Sequence, residues 1–486
     1  MKALDASRWN SGQIRSRMIL PLVVEMSSGP DPWEAFVRLA HLPNVLFLDS
    51  ALVNPPLGRY SYITADPFAK LIASNCQTIN PLKQLSAMLA RYHSKTVPGL
   101  PPFQGGVAGL FSYDLGRVLE RLPTSAINEF QVPNLALGVY DWVLAFDHML
   151  SKSWLFSSGF PEVDGLRRIA RAKQRAETIK SLLHSARPPH FSGKGIGTAK
   201  ARSMSSLANQ YAVSNRRGIT SNFDRPQYLE AISKAIDYIH AGDCYQVNIA
   251  QRLLALAPED PLSLYGRLRR CNPAPFAGYY DLGDFVIASA SPERFLRLEK
   301  NIVETRPIKG TRSRGATAEE DDSLKAELIS SPKDRAENFM IVDLMRNDLG
   351  RVCQFGSVHV SSLCRIESYE TVHHLVSEIR GKLRNGLGPV DLLKAAFPGG
   401  SVTGTPKIRA MEIIAELEPT VRGAYCGSLG YIGFDGSMDT SILIRTFTLG
   451  RGWAQFPVGG GIVADSIPEH EYDETWHKAE GLLRAL

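Results

Sequence analysis

Stretches of strand-like residues sit along this chain among stretches where apolar residues recur every three or four positions. Runs rich in β-branched and aromatic residues predict strands at Asn44–Leu48, Tyr60–Ile63, Tyr245–Leu254, Phe276–Asp281 and Phe285–Ala290, with Gly283-Asp284 turning between the last two. Trp142–Phe146 and Trp154–Phe156 predict a hairpin around a polar turn. Helical spacing predicts a basic amphipathic helix over Glu162–His184. It predicts another after Asp224, where Tyr228, Ile232, Ala235, Ile236 and Ile239 share a face and Gly242 caps the end. Periodicity lapses around Pro188-Pro189, so the pattern divides the chain into an N-terminal lobe (1–185), a linker or surface loop (186–222) and a second domain (223–486). Strands come in groups with helices between them, which predicts an α+β fold with packed sheets.

Two predicted helices carry carboxylates on faces they share with core residues. Ser331-Pro332 is a helix start, and Glu337, Ile341, Leu344 and Asp348 then share one face. A carboxylate on an apolar face needs a partner, because burying an unpaired charge is costly. Ser466-Ile467-Pro468-Glu469 reads as a capping box for a second helix, with Glu471, Glu474 and Lys478 on one face. The Glu471/Glu474 spacing repeats that of Asp334/Glu337. Such a set could hold Mg²⁺, but acidic first turns also follow from the helix dipole, and capping alone accounts for Asp334.

Two glycine-rich segments add candidate anion contacts. Phe397–Lys407 resembles an anion loop leading into a helix at Lys407–Leu417, although Thr405 and Pro406 break the P-loop order. Gly459-Gly460-Gly461 allows either close backbone approach to a ligand or a tight turn.

Composition narrows the class. With 486 residues, 44% of them apolar and 21% charged, the chain can build a large core. The net charge of +6 is diffuse. Its densest stretch, Arg167 to Arg175, reads as a solvated helix face, so no nucleic-acid partner is expected. The six cysteines form no C-x-x-C pair, which argues against a thiolate metal site and suits reduced thiols in the cytoplasm. Met1–Asn10 is polar and no apolar run is long enough for a bilayer, so neither targeting nor membrane insertion is expected.

Several segments together resemble the chorismate-utilising enzymes. They include Gly242–Asn248, Ser-Pro-Glu-Arg-Phe at 291–295, Glu304–Gly315, Asp334–Asn338, Asp343–Gly350, His374–Ser377, Phe397–Lys407, Gly427–Tyr431, Gly459–Ser466 and Asp473–Thr475. Leu48–Ala51 and Arg59–Ile63 match more loosely. The resemblance implies two facing antiparallel sheets flanked by helices, as in anthranilate synthase component I, with the active site between lobes. It implies Mg²⁺ held by Glu337 and Glu474, with Asp334 and Glu471 as adjacent acidic positions. It implies that Tyr431, Arg445 and the backbone of Gly459 and Gly461 bind the enolpyruvyl carboxylate of chorismate. Lys478 would lie near the metal-bound carboxylate and His374 near the departing C4 hydroxyl, with Thr403 and Gln246 completing the substrate contacts. A candidate tryptophan pocket falls at Ser50, Arg59, Tyr60 and Ser61.

Two positions select a branch. Water-using members resemble one another in placing a lysine base where Gln246 stands, and an amide cannot deprotonate water. Pro-Ile-Lys-Gly at 307–310 resembles the aminodeoxychorismate synthases, whereas anthranilate synthases carry Pro-Ile-Ala-Gly. In that branch Lys309 would attack C2 of chorismate, Glu293 would protonate the leaving hydroxyl, and ammonia would enter at C4, for para-aminobenzoate and folate biosynthesis. Lys309 must be neutral to attack, and Arg306, Arg312 and Arg314 are candidate neighbours favouring that form. A salt bridge to Arg294 is the alternative role for Glu293. No glutaminase module is recognisable, so ammonia is expected from a separate glutamine amidotransferase subunit or from solution. The alternatives are an anthranilate synthase large component and, in another class, a non-catalytic amino-acid sensor.

Overall fold

The computed structural model describes residues 20–26, 30–53, 57–74, 80–123, 127–185, 207–214, 216–258, 260–369 and 372–486. Among them, two antiparallel sheets of 13 and 10 strands face each other. The larger runs Leu22–Glu25, Lys152–Ser157, Trp142–Asp147, Tyr60–Thr64, Leu46–Asp49, Phe276–Asp281, Phe285–Ser291, Thr446–Gly450, Trp453–Ile462, Gln246–Leu256, Thr220–Ser221, Tyr211–Ala212, with Gly404–Thr405 also paired to Gln246–Leu256. The smaller runs Ile308–Ser313, Val372–Lys382, Ile302–Thr305, Arg294–Glu299, Met438–Ser441, Ser428–Gly433, Gly106–Phe111, Leu135–Tyr140, Ala69–Ala73, with His359–Ser368 on the other edge of Val372–Lys382. Both sheets combine strands from before residue 185 with strands from after residue 223.

Apolar layers explain the stacking. Tyr62, Val143, Tyr280 and Ile287 of one sheet meet Ala108, Leu110, Leu429 and Tyr431 of the other. The helices Pro32–Leu39, Gly165–His184, Pro261–Cys271 and Pro468–Leu483 cover the outer face of the larger sheet. Pro81–Arg91, Pro332–Gly350 and Pro389–Ala396 pack with the smaller. Strands covered on both faces lose alternation, which is why Gly106–Phe111 and Leu135–Tyr140 are buried throughout. The expected α+β fold of two facing antiparallel sheets flanked by helices is therefore what the chain adopts. No helix among the described residues is long and apolar enough to cross a membrane.

Local signals held at several ends. Ser331 caps Pro332–Gly350, its hydroxyl accepting the Asp334 N–H at 3.2 Å. Asp224 and Gln227 form a capping box, and Gly242 follows that helix at φ +83°. Other readings need correction. Ser466 is not a cap, since Pro468–Leu483 has Ile467 there; Ser466 instead donates to Glu471 at 2.7 Å. Residues 186–206 of the expected linker lie outside the described residues, but Tyr211–Ala212 and Thr220–Ser221 are strands that extend the larger sheet. The basic face of Gly165–His184 is only partly solvated: Arg171 donates to Phe160 O, and Arg175 pairs with Asp66 and Asp141.

The partner that Asp348 requires is Lys407, at 2.6 Å, which also donates to Ala396 O. Lys407 is thus a buried structural lysine. Losing one partner strands the other charge, so Asp348→Ala should lower stability by about 3 kcal/mol. Asp348→Ala/Lys407→Met should cost less than the single change, as read by urea unfolding; a larger loss in the double variant would contradict the pairing.

Candidate active site

Two of the chain's crossings between the sheets lie side by side. At one, Phe285–Ser291 of the larger sheet leads through Pro292 and Glu293 into Arg294–Glu299 of the smaller. At the other, Met438–Ser441 leads through residues 442–445 into Thr446–Gly450, in the opposite sense. The corners are stitched together: Ser291 Oγ donates to Ile442 O, and the Ile442 N–H donates to Glu293 O at 3.0 Å. Glu293 and Arg445 both sit on this seam.

Glu293 is 4% exposed. Burial raises its carboxyl to about 7, against the opposing pull of the Ser401 hydroxyl, the Lys309 charge and the Ile308 N–H. Arg294 does not pair with it; that guanidinium goes to Glu304 at 2.8 Å and Asp439 at 3.0 Å.

Lys309 owes its direction to a bulge. Ile308 pairs with Val376 and Thr311 with His374, so three steps on one strand match two on the other. Gly310, at φ +82°, supplies the left-handed residue, and a Cβ there would lie 3.0 Å from the Asp334 carboxylate. Lys309 Nζ then stands 3.9 Å from Glu337 Oε2. The three arginines expected beside it are held elsewhere, Arg306 by Glu367 and Glu378, Arg312 by Glu327 and Asp334, and Arg314 by Asp321.

Gly459, Gly460 and Gly461 form no turn. They lie in the Trp453–Ile462 strand, opposite Ala250, Ile249 and Asn248. Side chains approach this strand closely: a Cβ on Gly461 would displace Gln246 Nε2 and come within 3.3 Å of Lys309 Nζ. One on Gly460 would meet Glu471 Oε2 at 3.2 Å and Lys478 Nζ at 3.6 Å. Gln246 is fully buried, and neither its Oε1 nor its Nε2 has a hydrogen-bond partner. An unsatisfied buried amide is costly, so this side chain keeps bonding capacity for a group brought beside it.

The acidic positions converge around lysines. Glu471 meets Lys333 at 3.4 Å, Glu474 meets Lys478 at 2.6 Å, and Asp334 meets Arg312 at 3.2 Å. Lys478 also donates to Gly459 O at 2.9 Å. Burial raises the Glu337 carboxyl, with Asp334 and Glu471 adding to the rise and Lys309 and Lys333 opposing it.

His374 and Arg445 line a cleft with Tyr369 and Pro292. Burial, with Arg445 and His373 adding to it, lowers His374 to about 3, so its imidazole is neutral, and Nδ1 shares a hydrogen bond with Thr311 Oγ1 at 2.9 Å. Arg445 adopts φ +51°, an uncommon backbone for a bulky residue, and among the described residues no carboxylate pairs with its guanidinium. A half-buried guanidinium without an ion-pair partner is suited to gripping a carboxylate.

Other expected contacts are spent differently. Tyr431 stacks on Phe103 at 4.3 Å in the layer between sheets, where burial raises its hydroxyl well above the usual range, with Asp439 adding to the rise. The Thr403 hydroxyl donates to Gly399 O. The four tryptophan-pocket candidates do come together. Ser50 Oγ donates to Tyr60 O at 2.7 Å, Ser61 Oγ accepts the Ser50 N–H at 3.0 Å, and Arg59 pairs with Asp147 at 2.8 Å. Sequence reasoning passed over Lys333 and Ser401. Lys333 follows the predicted cap and Ser401 stands inside the glycine-rich segment, but neither position shows what it faces until the fold brings Glu471 and Glu293 to them.

A family model described as chorismate binding enzyme matches residues 49–484. The chain belongs to that family. It is 41% identical over 485 residues to aminodeoxychorismate synthase component 1 of Salmonella typhimurium, covering 97% of this chain and 99% of that one. It is 40% identical over 468 residues to anthranilate synthase component 1 of Thermus thermophilus, covering 94% and 95%. The crystal structure of anthranilate synthase component I from Streptococcus pneumoniae superimposes with a TM-score of 0.71 at 30% identity, covering 88% of this chain and 93% of that one.

In this chorismate-binding chain, the acidic helices offer oxygen donors only. Among the described residues no three such groups close into a metal cage by themselves. That donor chemistry suits a hard cation such as Mg²⁺, which takes few protein carboxylates and completes its shell with water and substrate oxygens.

Because burial raises Glu293 from 4.5 to about 7, its contribution to stability is full below pH 4.5 and is lost as pH rises to about 7. The loss should reach about 3 kcal/mol. Glu293→Gln should flatten that part of the stability–pH curve in denaturant unfolding; an unchanged slope would place the titration elsewhere.

Proposed function

We propose that the chain aminates chorismate at C4 to give 4-amino-4-deoxychorismate, as the component that takes ammonia from a separate glutaminase subunit in para-aminobenzoate and folate biosynthesis. The observation that carries this reading is the Lys309 amine on its bulge, beside Gly461, with the buried Glu293 carboxyl bonded to the N–H of the preceding residue. Relatives named aminodeoxychorismate synthase component 1 support it over nearly the full chain. Component 1 in those names supports a second subunit.

In the proposed step the Lys309 nitrogen forms a bond to C2 and the two ring double bonds shift by one position. The C4–O bond breaks, its electron pair leaves on oxygen, and that oxygen takes the Glu293 proton and departs as water. The lysine nitrogen sheds one proton. Ammonia then bonds to C4 and gives up one proton, the double bonds shift back, and the C2–N bond breaks with its electron pair on the Lys309 nitrogen, which takes up one proton and is freed as the amine. Arg445 would grip the enolpyruvyl carboxylate, and neutral His374 would stand near the departing oxygen. Glu337 and Glu474 would hold Mg²⁺, with Asp334 and Glu471 behind them and Lys478 alongside. The cation would supply a Lewis-acid grip on the ring carboxylate.

The second reading, an anthranilate synthase large component, is favoured by relatives of that name at similar identity. Incubation with chorismate, Mg²⁺ and ammonium at alkaline pH separates the two: mass spectrometry should find 4-amino-4-deoxychorismate, with no fluorescent anthranilate. Anthranilate as the product would reverse the order of the two readings. Lys309→Ala should lose about 100-fold or more in C4 amination, and a native rate in that variant would exclude the covalent step. Excess chelator should abolish turnover reversibly. Glutamine should support turnover only after a cognate glutaminase is added.

A further inference from the structure

The Glu293 carboxyl is held by the short turn Gly400–Val402. Its Oε1 accepts the Ser401 hydroxyl at 2.7 Å, and the Ile308 N–H donates to the same carboxyl. Ser401 is buried on the short turn Gly400–Val402. That turn is pinned immediately after the serine. Arg422 Nη1 donates to Val402 O at 2.9 Å, and the Asn248 N–H donates to Thr403 O at 2.7 Å. Arg422 is in turn held by Glu418 at 2.9 Å, and Glu418 accepts the Ala250 N–H at 3.0 Å. A fixed backbone therefore delivers one hydroxyl to one oxygen of a buried carboxyl.

A serine hydroxyl has a single proton to donate. While it donates to Oε1, a proton on Glu293 belongs on Oε2. The ionisable groups facing this carboxyl are Lys309, on the bulge, and Cys426.

We propose that Ser401 is a positioning residue whose hydrogen bond to Oε1 turns the Glu293 carboxyl so that Oε2 faces the substrate and carries the proton given to the C4 oxygen. This rests on the reading of Glu293 as the general acid. As the C4–O bond breaks, the Oε2–H bond breaks with it and the proton joins the leaving oxygen, which departs as water with the C–O electron pair. The carboxylate that remains already has the Ser401 O–H and the Ile308 N–H aimed at it, so no donor must reorganise as its charge develops. The same serine bond favours the ionised acid and so offsets part of the burial.

The test compares Ser401→Ala, Ser401→Thr, Ser401→Cys and Glu293→Gln in the full chain, with chorismate and free ammonia saturating at every pH. Ser401→Ala should lower kcat about tenfold, with KM for chorismate little changed. It should also move the alkaline limb of kcat to higher pH, because a general acid that ionises later stays active later. Ser401→Thr should restore both the rate and the limb, and Ser401→Cys, a weaker donor, should fall between Ala and the wild type. If the Ala variant fails to fold, the Cys and Thr variants carry the comparison. Glu293→Gln without activity, beside Ser401→Ala with a native kcat or an unmoved limb, overturns the positioning role alone. Glu293→Gln at the native rate overturns the general acid and the positioning role together.

Discussion

A chain that passes from one buried sheet to another must turn a corner without leaving backbone N–H and C=O groups unpaired. Here two such corners satisfy each other. Ser291 bonds to Ile442 O, the Ile442 N–H bonds to Glu293 O, and the strands on either side pair in both sheets. The two corners are pinned to each other by these bonds. This seam is also where Glu293 and Arg445 stand, one carrying a carboxyl that burial drives toward its neutral form, the other a guanidinium with no carboxylate beside it among the described residues. The constraint that closes the backbone thus also brings together two groups of opposite chemical use.

Around that seam, charges fall into two classes. Lys407 and Asp348 form a tight pair at 2.6 Å, and Arg422 and Glu418 lock a turn to a strand; these satisfy one another fully and hold the scaffold. Lys309 and Glu337, at 3.9 Å, are too far apart for a hydrogen bond, and Gln246 beside them has no partner for either side-chain atom.

Much of the local structure was readable from residue order. The cap at Ser331, the box at Asp224 and Gln227, the hairpin at Trp142–Asp147 and Lys152–Ser157, and the strands at Phe276–Asp281 and Phe285–Ser291 follow from interactions a few residues long. Where sequence reading went astray, a distant group had outbid a local one. Ser466 has the spacing of a cap, yet its hydroxyl serves Glu471. The glycines at 459–461 left a tight turn and a close approach both open, and pairing with Asn248–Ala250 decided for a strand that Gln246, Lys309 and Glu471 approach closely. Arg306, Arg312 and Arg314 stand near Lys309 in order, yet each is drawn away by a carboxylate from elsewhere in the chain.

The sequence by itself determined the family and the α+β class and marked out candidate reactive groups, because those depend on residue type and on spacing within single elements. Tertiary structure alone decided which oxygen of Glu293 meets Ser401, that a one-residue bulge turns Lys309 toward Gly461, and that Lys407 serves the scaffold. Each of these is a relation between groups tens to more than a hundred residues apart. Short-range pattern carries no information about such pairs; they are set when two sheets close over a shared core and every buried polar group must find a partner.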